Sequence, residues 1–154
     1  MNQKSLFGNA PAPASAAGCP TAHIDGGARG NPGPAAYGVV IRDPQGKVLT
    51  ELAKYLGIQT NNFAEYSGLL AALEHAQQQQ FSCLKVFSDS ELLVKQMNGE
   101  YKVRHPALQK LYEQAQRLAR PLQHFSIHHV LRRYNMDADL LVNQVLDSQT
   151  KTRL

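Results

Sequence analysis

The chain has 154 residues, of which 43% are hydrophobic, and carries a formal net charge of +4. This length fits one domain that buries about two-thirds of its unfolded surface, and the modest basic excess fits a polyanionic partner without requiring one. No stretch approaches the roughly 18 apolar residues of a membrane span, and the first residues lack the apolar core of a signal peptide, so we expect a cytoplasmic protein without a membrane partner.

Composition divides the chain into three unequal parts. Residues 1–18 are rich in Pro and Ala without any hydrophobic period, which is typical of a flexible tail. Residues 19–150 carry alternating strand-like and helical patterns and should form a single folded domain, large enough to hold a catalytic site. Residues 151–154 are a short C-terminal end.

The first half of the domain predicts three consecutive strands. TAHID is the first and should stop at Gly26-Gly27, AAYGVVIRD is the second, and KVLTELAKYLG follows a PQG turn as the third. Short turns between these strands predict an antiparallel meander.

The second half predicts helices that alternate with short apolar runs. TNNFAEYSGLLAALEHAQQQQ has helical apolar spacing behind an Asn N-cap candidate, and CLKVFSD reads as a buried strand. A helix over about residues 90–98 ends at Gly99, and Pro106 opens the next helix. HFSIHHVL is a fifth strand, and a last helix starts near Asn135 or Met136 and runs through Val145. This order, β-β-β-α-β-α-α-β-α, predicts an α/β fold with a mixed sheet and helices on its faces.

Four carboxylates fall where these elements should meet. Asp25 and Asp89 end the first and fourth strands, Glu65 lies in the first turn of the first helix, and Asp139 lies in the first turns of the last helix. Because open α/β sheets build their sites outside the carboxyl ends of their strands, the four acids could converge at one edge. Taken singly, each acid also fits a turn or a helix N-terminus.

Four converging acids, with no Lys or Arg among them, would raise one another's pKa values and destabilise the fold. Hard divalent cations relieve this repulsion, and oxygen-only ligands suit Mg²⁺ or Mn²⁺ rather than zinc. Asp25 stands at the lip of the Gly-rich stretch DGGARGNPG. We interpret it as a metal ligand, with the loop's backbone N–H groups near a phosphate.

Four motifs together resemble a type 1 ribonuclease H: DGGARGNPGPAAYGVVI, TNNFAEY, FSDSELLVKQMNGEYKV and NMDADLLVNQVLD. The motifs occur in the family's order over roughly residues 21–147. Because of its NGEYKV motif, the chain most resembles the compact archaeal-type branch of the family. Each motif carries one acid of the family's Asp-Glu-Asp-Asp set, which falls on Asp25, Glu65, Asp89 and Asp139. The resemblance implies a ribonuclease H-like fold, with three antiparallel strands, then two parallel strands, and flanking helices.

The implied activity is endonucleolytic hydrolysis of the RNA strand of an RNA/DNA hybrid, leaving 5′-phosphate and 3′-hydroxyl ends. The four acids would bind two Mg²⁺ ions, with Mn²⁺ as a substitute, at the scissile phosphate. A monomer without an obligate protein partner is the simplest expectation. The substrate-binding residues implied by the motifs are Gly26, Gly27, Arg29, Gly30, Asn31, Thr60, Asn61, Asn62, Ser90 and Arg132.

The chain departs from the family pattern in two places. Glu91 stands where the family often has Gln, so an extra acid faces either the RNA groove or solvent. HVLRRYN replaces HVPRExN, and the mobile His-bearing loop of some members is missing, so Arg132 would assist product release or contact a phosphate. We interpret His128 and His129 as structural rather than as acid–base groups.

Cys19 precedes Asp25 by as many residues as Cys83 precedes Asp89. If the first and fourth strands are parallel neighbours, as the family fold implies, the two cysteines share a register within disulfide reach, about 4.4–6.8 Å between Cα atoms. We predict that they approach and can bond under oxidising conditions, although cytoplasmic thiols are reduced by default.

Two alternatives stay open within this interpretation. The enzyme could also cleave double-stranded RNA, or the chain could be a non-catalytic hybrid-binding module, whose signature would be a missing acid. Integrase-like or resolvase-like enzymes share the fold and the acids, but not GNPG and TNN. A nucleotide-binding protein would need GxxxxGK[ST] and a loop that leads into a helix.

Overall fold

The computed structural model describes residues 18–153, so the predicted tail lies, apart from Gly18, outside the described residues. In chain order the strands and helices are β1 (Thr21–Ala28), β2 (Gly33–Arg42), β3 (Val48–Gln59), α1 (Asn61–Gln78), β4 (Cys83–Ser88), α2 (Glu91–Met97), α3 (Pro106–Ala119), β5 (His124–His129) and α4 (Met136–Arg153), with a 3₁₀ turn at Arg132–Tyr134 before α4.

The sheet has five strands in the order β3-β2-β1-β4-β5. β2 pairs antiparallel with β1 and with β3, whereas β4 pairs parallel with β1 and with β5. The predicted element order and mixed sheet are therefore confirmed. No helix within residues 18–153 is long and apolar enough to cross a membrane.

The prediction that Gly26-Gly27 stops the first strand is wrong. β1 runs on to Ala28, and Gly26 pairs with Tyr37 in the antiparallel ladder. A Cβ atom at Gly26 would lie 2.3 Å from the carbonyl carbon of Ala64 in α1. Glycine is needed here because the strand and the helix touch backbone to backbone, not because the chain turns.

Helix boundaries follow local chemistry, with three corrections. The N-cap of α1 is Thr60 rather than an Asn, because the Thr60 Oγ1 accepts a hydrogen bond from the Phe63 N–H at 3.1 Å. Glu65 therefore lies beyond the first turn, which contains no acid. The last helix continues past Val145 to Arg153, since QVLDSQTKTR contains neither Gly nor Pro to end it.

The core lies between the sheet and helices α1 to α3. Ile24, Val39 and Val86 of the sheet pack against Leu69 and Leu73 of α1, all of them at most 1% exposed. On the other face of the sheet, α4 packs on β1, β2 and β3 through a smaller cluster. Burying apolar surface on both faces fixes the positions of the central strands.

Cys19 and Cys83 are joined by a disulfide, with their Cα atoms 5.5 Å apart. Both residues are buried, and they continue the β1–β4 register in which Thr21 pairs with Lys85. The predicted approach of the two cysteines is confirmed by this separation, which is below the 7 Å limit for a disulfide.

Candidate active site

Two neighbouring strands and one helix bring three carboxylates together. The parallel pairing of β1 with β4 ends where Ile24 meets Ser88, and Asp25 and Asp89 are the next residues. The backbone contact at Gly26 brings the following turn of α1, with Glu65, onto the same place. Carboxylate oxygens of Asp25, Glu65 and Asp89 lie within 4.8 Å of one another.

The fourth acid, Asp139, comes from the first turn of α4 and hydrogen-bonds to Asp25. Its Oδ1 also accepts a hydrogen bond from Arg132 Nη2 at 3.3 Å. The expectation that no Lys or Arg stands among the acids is therefore wrong. The Arg132 side chain is 74% exposed, so the pair is of the weak, solvent-screened kind and leaves Arg132 free to move.

The carboxylates repel one another strongly. Burial, the charge of Asp89 and the hydrogen bond that protonated Asp25 donates to Asp139 raise the pKa of Asp25 to about 8. Burial raises the pKa of Glu65 to about 7, with a further contribution from Asp89, although a hydrogen bond from Ser90 opposes the shift. Burial also raises the pKa of Asp89, against the opposing charge of Arg132. Without a cation, Asp25 is therefore largely protonated at pH 7.

The donor set fits a hard divalent cation. It offers carboxylate oxygens alone, on half-buried or buried side chains that face one another. A bound cation would replace the shared proton and reverse the raised pKa values. Mg²⁺ and Mn²⁺ both suit oxygen ligands of this kind.

Ser90 has a role that the sequence did not reveal. As N-cap of α2 its Oγ accepts a hydrogen bond from the Leu93 N–H at 3.1 Å, and the same hydroxyl hydrogen-bonds to Glu65. The N-cap signal was readable in the sequence, whereas the partner across the fold was not. Ser90 therefore orients a site carboxylate as well as starting a helix.

Two asparagines near Asp139 were also missed. Asn135 is buried, and its Nδ2 donates to the Ile24 carbonyl at 2.8 Å, next to Asp25 in β1. Asn143 Nδ2 donates to the Asp139 carbonyl at 3.1 Å. The Asn135 contact fixes the start of α4 relative to β1, whereas the Asn143 bond lies within α4, one turn after Asp139.

Two of the predicted substrate-binding residues, Asn31 and Asn61, link the β1–β2 loop to the start of α1. Asn61 Oδ1 accepts from the Ala28 N–H at 2.8 Å, and Asn31 Oδ1 accepts from the Asn61 N–H at 3.0 Å. These bonds tie the β1–β2 loop to the start of α1. Gly26 differs from the others, since it is buried against α1, and its closeness to substrate stays a prediction.

Arg29 and Glu91 point away from the acid cluster. Arg29 forms an ion pair with Asp147 of α4 at 2.7 Å. Glu91 is 67% exposed and lies 3.8 Å from Lys95 one turn later, which agrees with the solvent-facing alternative for this residue. His128 is exposed and hydrogen-bonds to Ser126 at 2.9 Å, and its structural role stays a prediction.

The sequence of this chain is similar to that of a known protein family and of several known proteins. A family model described as "Reverse transcriptase-like" matches residues 23–145. A bifunctional protein of Mycobacterium tuberculosis is 44% identical over 129 residues, which is 83% of this chain and 35% of that protein. The chain thus spans about a third of the length of this relative.

Solved structures agree over nearly their full length. Ribonuclease H1 of the halophilic archaeon Halobacterium salinarum has a TM-score of 0.81 at 40% identity, over 85% of this chain and 99% of that one. LC11 ribonuclease H1, isolated from compost and solved in complex with an RNA/DNA hybrid, has the same TM-score, identity and coverage.

Proposed function

Because this chain belongs to the type 1 ribonuclease H family, we propose that it hydrolyses the RNA strand of RNA/DNA hybrids. The observation that carries the proposal is the cluster of Asp25, Glu65 and Asp89, whose oxygens lie within 4.8 Å of one another. The hybrid bound by the 40% identical LC11 enzyme supports the substrate class. All four acids of the family set are present, which argues against a non-catalytic hybrid-binding module.

We propose two Mg²⁺ ions, replaceable by Mn²⁺, as cofactors, with Asp25, Glu65, Asp89 and Asp139 as their ligands. Such ions, when bound, activate a water molecule and stabilise the leaving 3′-oxygen. Ser90 holds Glu65 in place by its hydrogen bond. Products would carry 5′-phosphate and 3′-hydroxyl ends.

Arg132 has a changing partner in this mechanism. It pairs with Asp139 at 3.3 Å. If Asp139 held a cation, the guanidinium of Arg132 would be available to contact a phosphate of the RNA strand, for which its planar donors are suited.

Substrate binding is proposed at the edge formed by the β1–β2 loop and the start of α1. The loop residues Gly27, Gly30 and Asn31, with the start of α1, would meet the two strands of the hybrid. RNA differs from DNA by its 2′-hydroxyls, which a protein can reach in the wide minor groove of the hybrid. We propose that a monomer suffices for this contact.

The decisive experiment compares Asp139→Asn with Asp137→Asn on end-labelled hybrid, double-stranded RNA and single-stranded RNA. Both acids lie in the first turn of α4, but Asp137 pairs with Arg42 outside the acid cluster. We expect metal-dependent cleavage of the hybrid's RNA strand, reduced at least about a hundredfold by Asp139→Asn and little changed by Asp137→Asn.

Each outcome has a distinct meaning. Cleavage of double-stranded RNA by the wild-type chain would identify the broader-specificity alternative. Hybrid binding without cleavage, with Mg²⁺ or with Mn²⁺, would replace the enzyme proposal by a binding module.

A further inference from the structure

One part of the sheet has no helix on one of its faces. Helices α1 to α3 cover the face that carries Ile24, Val86 and Ile127. On the opposite face α4 packs chiefly on β1, β2 and β3. Within residues 18–153, the second face of β4 and β5 therefore meets solvent at the side of the acid cluster.

Three rings line this face in one row. The register pairs His23 of β1 with Phe87 of β4, and Phe87 with His128 of β5. Ring centroids are 5.0 Å apart for His23 and Phe87, at an interplanar angle of 24°, and 5.5 Å apart for Phe87 and His128, at 33°. These three residues, called the ring row below, form a continuous stack across three strands.

The ring row is open to solvent at its β5 end. His128 is exposed, whereas Phe87 and His23 are half-buried. A stack of aromatic rings with a free end is a surface on which a planar base can continue the stack.

Cations surround the ring row. The Lys85 Nζ lies 5.9 Å from the Phe87 ring centroid, in the row of side chains next to the ring row. Beside His23 a pocket of about 190 Å³ is lined by residues that include Arg42, Arg133 and Asp137. Asp137 pairs with Arg42, whereas neither Lys85 nor Arg133 forms an ion pair within residues 18–153.

We propose that this face binds a single-stranded segment of nucleic acid, with bases stacked on the ring row and phosphates beside Lys85 and Arg133. Stacking rings flanked by cations are the usual means of holding single strands without sequence preference. A protein partner would need a larger apolar surface than this one, in which two of the three rings are histidines.

The ring row lies close to the proposed catalytic site. His23 precedes Asp25, and Phe87 precedes Asp89, by two residues, or about 7 Å along a strand. A single-stranded overhang that continues from a bound hybrid would reach the ring row directly. The path of an overhang from a bound hybrid onto the ring row rests on the proposed function, whereas the binding of a single strand to the ring row does not.

The test measures binding of fluorescein-labelled 12-nucleotide oligouridylate and oligothymidylate by fluorescence anisotropy, with a chelator present to prevent cleavage. The double variant Lys85→Gln/His128→Ala changes two solvent-accessible side chains and keeps Phe87 for folding. We expect about tenfold weaker binding and a slope of log affinity against log salt smaller by about 0.7, as for one lost phosphate contact.

Lys47→Gln is the matched control. Lys47 is exposed in the β2–β3 turn, so this variant removes the same charge from a distant surface. Equal losses in the control and the double variant, or no loss in the double variant, would overturn the proposal. So would a dimer, detected by sedimentation velocity, that the double variant abolishes while oligonucleotide affinity is unchanged, because the occupant would then be a second copy.

A second binding experiment compares blunt-ended hybrids with hybrids that carry a single-stranded RNA or DNA overhang. It tells whether the ring row binds an overhang of a bound hybrid or only a free single strand. We expect the overhang to increase affinity in the wild-type chain, and the increase to vanish in the double variant. Hybrid cleavage together with an unchanged double variant would overturn this inference alone. Absence of cleavage in the wild-type chain would overturn the proposed function alone.

Discussion

The two ends of the β1–β4 pair have the same backbone arrangement and opposite chemistry. At one end Cys19 and Cys83 are buried and covalently joined, with Cα atoms 5.5 Å apart. Six residues further along each strand, Asp25 and Asp89 stand side by side, and burial together with the charge of Asp89 raises the pKa of Asp25. The disulfide joins the two strands at one end, whereas the carboxylates repel each other at the other end.

This contrast shows how a small domain accommodates a destabilising site. Two parallel strands cannot separate at one end while they are joined at the other and packed against helices α1 to α3. The repulsion at the acid end is therefore retained as a site for cations instead of being relieved by movement of the strands. The four predictions below alter one end while the other is kept intact.

The largest expected effect follows from changing the acid end. Asp89→Asn should reduce hybrid cleavage at least about a hundredfold, because it removes a carboxylate from the cluster, and leave the disulfide untouched. Cleavage assays measure the loss, and a thiol assay on the denatured chain confirms the intact bond. Activity within tenfold of wild type would contradict the assignment of Asp89.

The disulfide end should carry stability without activity. The bond closes a loop with a sequence separation of 64, for which chain entropy predicts about 4 kcal/mol of stabilisation. We expect the double variant Cys19→Ala/Cys83→Ala to lose roughly 8–16 °C of melting temperature and to keep hybrid cleavage at 25 °C. Reductant should lower the melting temperature of the wild-type chain and not that of the double variant. Equal melting temperatures with and without reductant would contradict the prediction.

The acid end should make stability depend on pH. Since the pKa of Asp25 is raised to about 8 in the folded chain, the folded state binds more protons than the unfolded state above about pH 4. Stability in a chelator should therefore fall as pH rises from about 5 to 8. Calorimetry should show this fall in wild type, a weaker one in Asp25→Asn, and its reversal by Mg²⁺. A melting temperature that rises over this range would contradict it.

The smallest expected effect concerns the link between a helix cap and a site acid. Ser90→Ala removes the N-cap of α2 and the partner of Glu65, whereas Thr60→Ala removes the N-cap of α1, which has no site acid as a partner in the cap. Each should cost about 1 kcal/mol of stability by chemical denaturation. Ser90→Ala alone should raise the Mg²⁺ concentration needed for half-maximal cleavage, and equal metal dependence in the two variants would contradict this.

The sequence was sufficient for features that repeat or that stand in a motif. Hydrophobic periodicity located all nine strands and helices of the described residues, and the four acids followed from their positions at element ends. The common register of the two cysteines could be inferred as soon as β1 and β4 were taken as parallel neighbours. These inferences rest on local pattern and on the topology of the sheet.

Contacts between distant residues could not be read from the sequence. Gly26 reads as a strand breaker because glycine usually is one, and only the packing of α1 on β1 reveals why the strand continues. The pairing of Arg132 with Asp139 depends on the course of the 3₁₀ turn before α4, which had no sequence signal. The hydroxyl of Ser90 likewise finds Glu65 across the fold.

The backbone contact at Gly26 determines the distance between Asp25 and Glu65. An added Cβ would come within 2.4 Å of the Glu65 N atom, so any side chain at residue 26 must push α1 away from β1. Asp25 and Glu65 are next to the residues in contact, so the distance between the backbones of β1 and α1 determines how far apart these two acids lie. Substitutions in the hydrophobic core can soften the domain without changing this spacing, whereas a single methyl group at residue 26 would reset it.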